Sequence, residues 1–371
     1  MTTKAQQEPG ALDQATDRAT DRATLALEER TTIRRLADNR PTTRAGRLKE
    51  NLYYLRGRGA FEISIVYVLF LVVAVVTAAV NPAFPFLSES NLSGVLTQSI
   101  PVLGILAVGV GVLMVAGEFD LSIGAAIGLT AIVFIRMSNS FGWPTAFVVA
   151  VACGMAVALV NGLIVVYTGI PSFIATLGLS FFWTGVSIYI NGVTPAILDP
   201  GVRTETMNKI FVGDFGFFHA QLLWLVLVAV VSWLLLHRHR WGNKVYAVGG
   251  NRAAAAAVAI KPNAVRLQAY AFLGVMTGIA GVLIAVRTST MQPGTTEEYL
   301  FMAVAAAVVG GCSLTGGRGT VIGMIVGAAL IRTIEDVLIL AKAPGFYVQL
   351  FVGLCIVGAA IVNRFMEGRA K

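Results

Sequence analysis

The chain has 371 residues, of which 56% are hydrophobic and only 13% charged, with a mean hydropathy of +0.75. Soluble domains carry about 25% charge, so this composition excludes an ordinary soluble protein and describes an all-α polytopic membrane protein. The net charge of +8 does not signal nucleic acid, because the bases lie between the apolar runs, where topology signals sit.

Residues 1–58 hold twelve bases against eight acids and few large apolar residues. Such a segment cannot bury enough surface to fold alone, and it contains no apolar core of signal-peptide length. It is expected to be a cytoplasmic, partly disordered tail, with a candidate amphipathic helix near Leu25–Leu36.

A bilayer-crossing helix needs about 20 mainly apolar residues. That ruler predicts ten spans, near 61–80, 93–116, 121–137, 144–167, 172–191, 219–236, 265–286, 300–312, 320–340 and 346–363. The third and eighth fall short, so part of each is expected to be broken or re-entrant. The membrane domain is 59–365 and the C-terminus 366–371. Asp120, with Glu118 two residues before it, is the clearest acid between apolar runs. It is either a functional intramembrane carboxylate or, with Ser122, a cap on the third span. Gly124 with Gly128 and Gly323 with Gly327 permit close helix contact. The stretches 115–129 and 308–330 look weakly alike and suggest an internal repeat.

Basic residues mark the tail, the 237–264 connection (Arg238, Arg240, Lys244, Arg252, Lys261) and the C-terminus (Arg364, Arg369, Lys371). With ten spans all three fall on one side, the cytoplasm. The connections 192–218 and 287–299 then lie outside, and Arg332, Glu335 and Asp336 at the outer end of the ninth span. Within 237–264, Asn251 is a good N-cap, the alanines after it are the best helix formers, and Pro262 closes the helix near Ile260. Asn263 is expected to cap the seventh span. The result is a short helix between Gly249-Gly250 and Lys261-Pro262, shaped either as a docking knob or as a connection with no partner.

No phosphate loop, zinc-protease or nucleophile-elbow motif occurs. Cys153, Cys312 and Cys355 read as small buried thiols, and His219, His237 and His239 lack ligand-spaced partners, so no metal site is expected. A mover of solutes built this way draws its energy from another subunit or from a coupling ion.

Residues 246–283, "YAVGGNRAAAAAVAIKPNAVRLQAYAFLGVMTGIAGVL", resemble the coupling segment of the permease subunits of ribose-type sugar ABC importers, the family that also includes xylose and autoinducer-2 permeases. "GEFDLSIGA", "PSFIATLG" and "GGCSLTGGRG" are similar to three more of its motifs, in the family's order. The resemblance implies a permease working as a homodimer, or paired with a paralogue, in the lipid of a bacterial inner membrane. ATP and Mg would be bound by a separate cytoplasmic ATPase, and an extracytoplasmic binding protein would deliver a monosaccharide or related solute. It implies that the ATPase docks on Gly249, Gly250, Asn251, Arg252, Ala255, Ile260 and Lys261. It also implies that Asp120, Ser122, Phe173, Thr176 and Ser313 lie near the path, with Gln98 and Asn161 behind them, although each also suits helix–helix hydrogen bonding. The rivals are an ion-coupled secondary transporter, which wants buried carboxylates, and a membrane-bound enzyme or scaffold.

Overall fold

A computed structural model of the chain describes residues 60–81 and 83–368. The tail 1–58, its candidate helix and the end of the C-terminus lie outside the described residues. The helices in chain order are α1 (Ala60–Val80), α2 (Glu89–Val115), α3 (Ile123–Phe141), α4 (Trp143–Thr168) and α5 (Ser172–Asn191). There follow α6 (Glu205–Phe211), α7 (Ala220–Arg238), α8 (Arg240–Gly250), α9 (Arg252–Ala257), α10 (Pro262–Thr288), α11 (Glu298–Val309), α12 (Val321–Leu340) and α13 (Phe346–Gly368). A 3-10 turn covers Pro85–Leu87, and there are two antiparallel strand pairs among the described residues: β1 (Ala196–Ile197) with β4 (Thr290–Met291), and the hairpin β2 (Asp214–Phe215) with β3 (Phe218–His219).

Among the described residues seven helices are long and apolar enough to cross a membrane, and α11 and the Phe346–Gly358 part of α13 are shorter apolar helices. α12 has 20 residues and carries Arg332, Glu335 and Asp336 along its length. A helix or helical segment therefore stands at each of the ten predicted places. The third is not short, since α3 runs on to Phe141. The eighth is, because α11 stops at Val309 and the chain continues as a glycine-rich loop to Thr320. α2 starts earlier than expected and includes a π-helical turn, Gly94–Ser99, that carries Gln98.

The 237–264 connection differs in detail. Gly249 and Gly250 do not separate a short helix from a loop; they end α8, and the break comes at the extended backbone of Asn251. The Asn251 side chain accepts the Ala254 N–H at 3.0 Å, as a cap should. The helix then ends at Ala257, short of Ile260, because the N–H groups of Val258 and Ile260 both turn back to the Ala255 carbonyl and Ala259 takes φ +62°. α10 starts at Pro262 with no side-chain cap, so Asn263 has no capping role. Proline in a first turn lacks the N–H a cap would satisfy.

Burial is uneven. In α2 and α10, 89% and 78% of the apolar window lies inside the protein, against 6% in α1 and 11% in α5. Between helices in lipid, association rests on close packing rather than apolar burial. α4 and α10 show this most clearly: a Cβ at Gly154 would stand 2.5 Å from the Gly274 carbonyl oxygen, and one at Gly278 2.7 Å from the Val151 Cα. Gly323 and Gly327 bring α12 onto the backbone of Gly310 and Ala306, whereas Gly124 and Gly128 of α3 face the segment Thr296–Glu297 rather than another helix.

Candidate functional site

The turn between α2 and α3, residues 116–122, is where the chain's buried charge gathers. α2 ends because Gly117 takes φ +80°. Beyond Glu118 the backbone makes few helical bonds, and side chains accept three of its N–H groups. Phe119 N–H donates to Ser172 Oγ at 3.1 Å, Leu121 N–H to Thr176 Oγ1 at 2.9 Å, and Ser122 N–H to Asp120 Oδ1 at 2.8 Å. Tyr270 donates its hydroxyl to the Phe119 carbonyl at 3.1 Å. The turn is thus gripped by the first residues of α5 and by α10.

Asp120, Ser122 and Asn161 are 5%, 1% and 0% exposed. The Ser122 hydroxyl donates to Asp120 Oδ1 at 2.7 Å, and the Asn161 amide donates to Asp120 Oδ2 at 3.0 Å and to Ser122 Oγ at 2.6 Å. Trp183 of α5 completes the chain, its indole N–H donating to Asn161 Oδ1 at 2.9 Å. Asp120 accepts the N–H of Ser122 two residues on, a turn bond; α3 has no side-chain cap, and Asp120 ties the turn to α4 through Asn161. Burial pushes its carboxyl above its ordinary value, against the hydrogen bonds from Ser122 and Asn161, which pull it down.

Glu118 makes the stronger electrostatic centre. Its carboxylate is 3% exposed and accepts from Arg266 Nε at 2.6 Å and from Arg252 Nη2. Arg266 belongs to α10 and is nearly buried; Arg252 opens α9, is 47% exposed, and also donates to the Gly117 carbonyl at 2.9 Å. A buried carboxylate is tolerated only when paired in this way. Beside the cluster lies a cavity of about 270 Å³, lined by Glu118, Arg252, Arg266, Ser172 and Phe173 among others.

A second loop, between α11 and α12, meets the first at the same end of the bundle. Gly317 N–H donates to the Val115 carbonyl at 2.9 Å, and Tyr246 of α8 donates to the Gly319 carbonyl at 2.7 Å. Gly249 fits between them: a Cβ there would run into the Val115 carbonyl oxygen and stand 2.7 Å from the Gly317 nitrogen. Ser313, 1% exposed, lies in this second loop, where its N–H donates to the Arg318 carbonyl at 3.0 Å.

Of the residues singled out from sequence, Asp120, Ser122, Asn161 and Thr176 come together at the first turn. Phe173 stands 56% exposed at the edge of the cavity, and Ser313 is in the neighbouring loop. Gln98 is half-buried near the far end of α2, 17 residues or about 25 Å of helix from Val115. In the docking segment Gly250, Asn251, Arg252 and Lys261 are exposed, Gly249 and Ile260 are half-buried, and Ala255 is 3% exposed. In the Arg332 group, Arg332 and Glu335 pair with 13% and 18% of their side chains exposed, and Asn91 donates to Asp336 at 2.9 Å. Sequence reasoning passed over the partners Arg266, Trp183 and Tyr270 and gave Glu118 no role of its own. An arginine and a glutamate beside long apolar runs were the available signal.

Residues 91–360 match the family described as "Branched-chain amino acid transport system / permease component". The chain is 31% identical over 298 residues to the ribose import permease protein RbsC of Bacillus subtilis (strain 168), covering 80% of this chain and 90% of the relative. It is 32% identical over 340 residues to the galactose/methyl galactoside import permease protein MglC of Escherichia coli (strain K12), covering 87% and 98%. It is also 32% identical over 289 residues to the autoinducer 2 import system permease protein LsrC of Enterobacter sp. (strain 638), covering 78% and 82%. No solved structure matches the chain.

Proposed function

The chain belongs to the family of branched-chain amino acid transport system permease components, and on that premise we propose that it is the membrane subunit of an ATP-binding-cassette importer for a monosaccharide or related small polar solute. In this reading a cytoplasmic ATPase, holding ATP and Mg, docks on α9, and an extracytoplasmic binding protein delivers solute to the opposite end. Two permease chains, identical or paralogous, alternate between outward-open and inward-open arrangements as the ATPases close and release. The near-equal identities to ribose, galactose and autoinducer-2 permeases favour a neutral polyhydroxylated solute over an amino acid.

The observation that carries the ATPase partner is the face of α9. Ala253, Ala254, Ala256 and Ala257 are exposed, and Val258 is 70% exposed, at the end of a helix whose inner residue Ala255 is buried. Small side chains let a partner's groove close on the backbone, while Lys261 meets acidic groups at the rim and Arg252 turns inward to Glu118.

The test is co-purification of the chain with ATPase subunits from the same genome, followed by uptake of labelled ribose and galactose into proteoliposomes supplied with ATP and binding proteins. Wild type should retain an ATPase. Val258→Asp should lower the recovered ATPase about tenfold, equivalent to ~1.4 kcal/mol, with insertion unchanged. An ATPase that binds neither protein, or uptake that follows an ion gradient without ATP, overturns the importer reading in favour of an ion-coupled transporter.

A further inference from the structure

Resting on the reading of α9 as the ATPase dock, we propose that Glu118 is a positioning residue that carries motion of the dock into the turn holding Asp120. The route is short. Arg252 stands at the first position of α9, and its guanidinium reaches the Glu118 carboxylate and the Gly117 carbonyl. Glu118 is followed at once by Phe119, whose backbone is tied to Ser172 and Tyr270, and then by Asp120 and Leu121, the latter tied to Thr176. A displacement of α9 therefore pulls on a charged group with almost no solvent to relax into. The pull is delivered to the first turn of α5 and to the Asn161–Trp183 pair.

The alternative carriers are weaker. Besides Arg252, the residue of α9 that faces inward is Ala255, 3% exposed, and an alanine side chain transmits push but not pull. The glycine contacts of Gly249 with Val115 and Gly317 fix α8, not α9. Arg266 holds Glu118 from the α10 side at 2.6 Å, so the carboxylate is shared between a residue of the membrane span and one of the dock. Such sharing makes a link with two settings: the Arg252 contact can be drawn out by a partner while Arg266 keeps the buried charge compensated.

The experiment uses the complex of this chain with its ATPase in nanodiscs, in a background with Cys153, Cys312 and Cys355 replaced by alanine. A spin label is attached through Ile174→Cys, a position 61% exposed between Ser172 and Thr176. In the otherwise unaltered chain, ATP and Mg followed by vanadate should change the label's mobility. Arg252→Gln and Glu118→Gln should each reduce that change at least about fivefold with the ATPase still bound, and Arg252→Lys, which keeps the charge, should restore most of it. A role confined to folding would lower the yield without altering the nucleotide response of the protein recovered. The proposal is overturned if the parent chain shows no response, if the response persists in both neutral variants, or if Arg252→Gln releases the ATPase, which would assign Arg252 to the partner. Should Glu118→Gln fail to insert, Arg252→Gln decides alone, since its side chain is half exposed. A parent chain that binds no ATPase overturns the underlying importer reading instead.

Discussion

Asn161 uses both ends of its amide inside the bundle, giving two hydrogen bonds to Asp120 and Ser122 and accepting one from Trp183. Replacing it with leucine keeps the volume and removes every partner at once. The Trp183 N–H and one Asp120 oxygen would then be buried and unpaired, and each orphaned group costs about 1–3 kcal/mol. Asn161→Leu is therefore expected to lower stability by about 2–4 kcal/mol, read as a drop in the melting temperature of the detergent-solubilised chain with altered tryptophan emission. An unchanged melt would show that water already satisfies these groups. At this scale the sequence revealed the acids but not their partners. Asp120 stood out as an acid between apolar runs and the resemblance drew in Asn161 without pairing the two, whereas Glu118 pairs with arginines 134 and 148 positions away. Nothing in the local pattern couples residues at that separation; only the meeting of α9, α10 and the α2–α3 turn does.

Two adjacent glycines separate packing from propensity at the scale of the element. A Cβ at Gly249 collides with the Val115 carbonyl and crowds Gly317, while one at Gly250 meets nothing within 4 Å. Gly250→Ala should be neutral or gain up to about 1 kcal/mol from helix propensity. Gly249→Ala should force α8 away from both loops and sharply reduce monodisperse protein on size exclusion. Equal behaviour of the two variants would mean that α8 does not pack against these loops. The same logic explains which elements were legible. Spans follow from apolar length alone, and the start of α9 from Asn251, because a cap is a local device. The end of α9 depends on Ala259 adopting a left-handed backbone that alanine seldom takes. The α4–α10 seam depends on Gly274 and Gly278, four apart like many other pairs among 39 glycines, so spacing could not single it out. Ala255, chosen from sequence as a docking residue, is the one alanine of α9 that faces inward. A bulky residue there would test the fold rather than the dock.

For the whole molecule, the question is which end faces the cytoplasm. The helices place residues 116–122, 169–171, 239–261 and 310–320 at one end, and the two strand pairs and α6 at the other. The first end carries Arg238, Arg240, Lys244, Arg252 and Lys261 in one connection; the second carries a balanced set, Asp199, Arg203, Glu205, Lys209 and Asp214. Basic excess in short connections marks the cytoplasmic side, so the dock should face inward and the hairpin outward. Asp214 and Lys244, both exposed, bracket α7. With the three native cysteines replaced, Asp214→Cys should react with a membrane-impermeant maleimide in spheroplasts, and Lys244→Cys only in inside-out vesicles. The reverse pattern would invert the whole arrangement, because every other span is fixed relative to α7 by chain order. Reaction of both from one side would deny that α7 crosses at all. The expected pattern puts the Glu118–Arg252 pair on the ATP side of the membrane, where an ATPase must be if α9 is to move that pair.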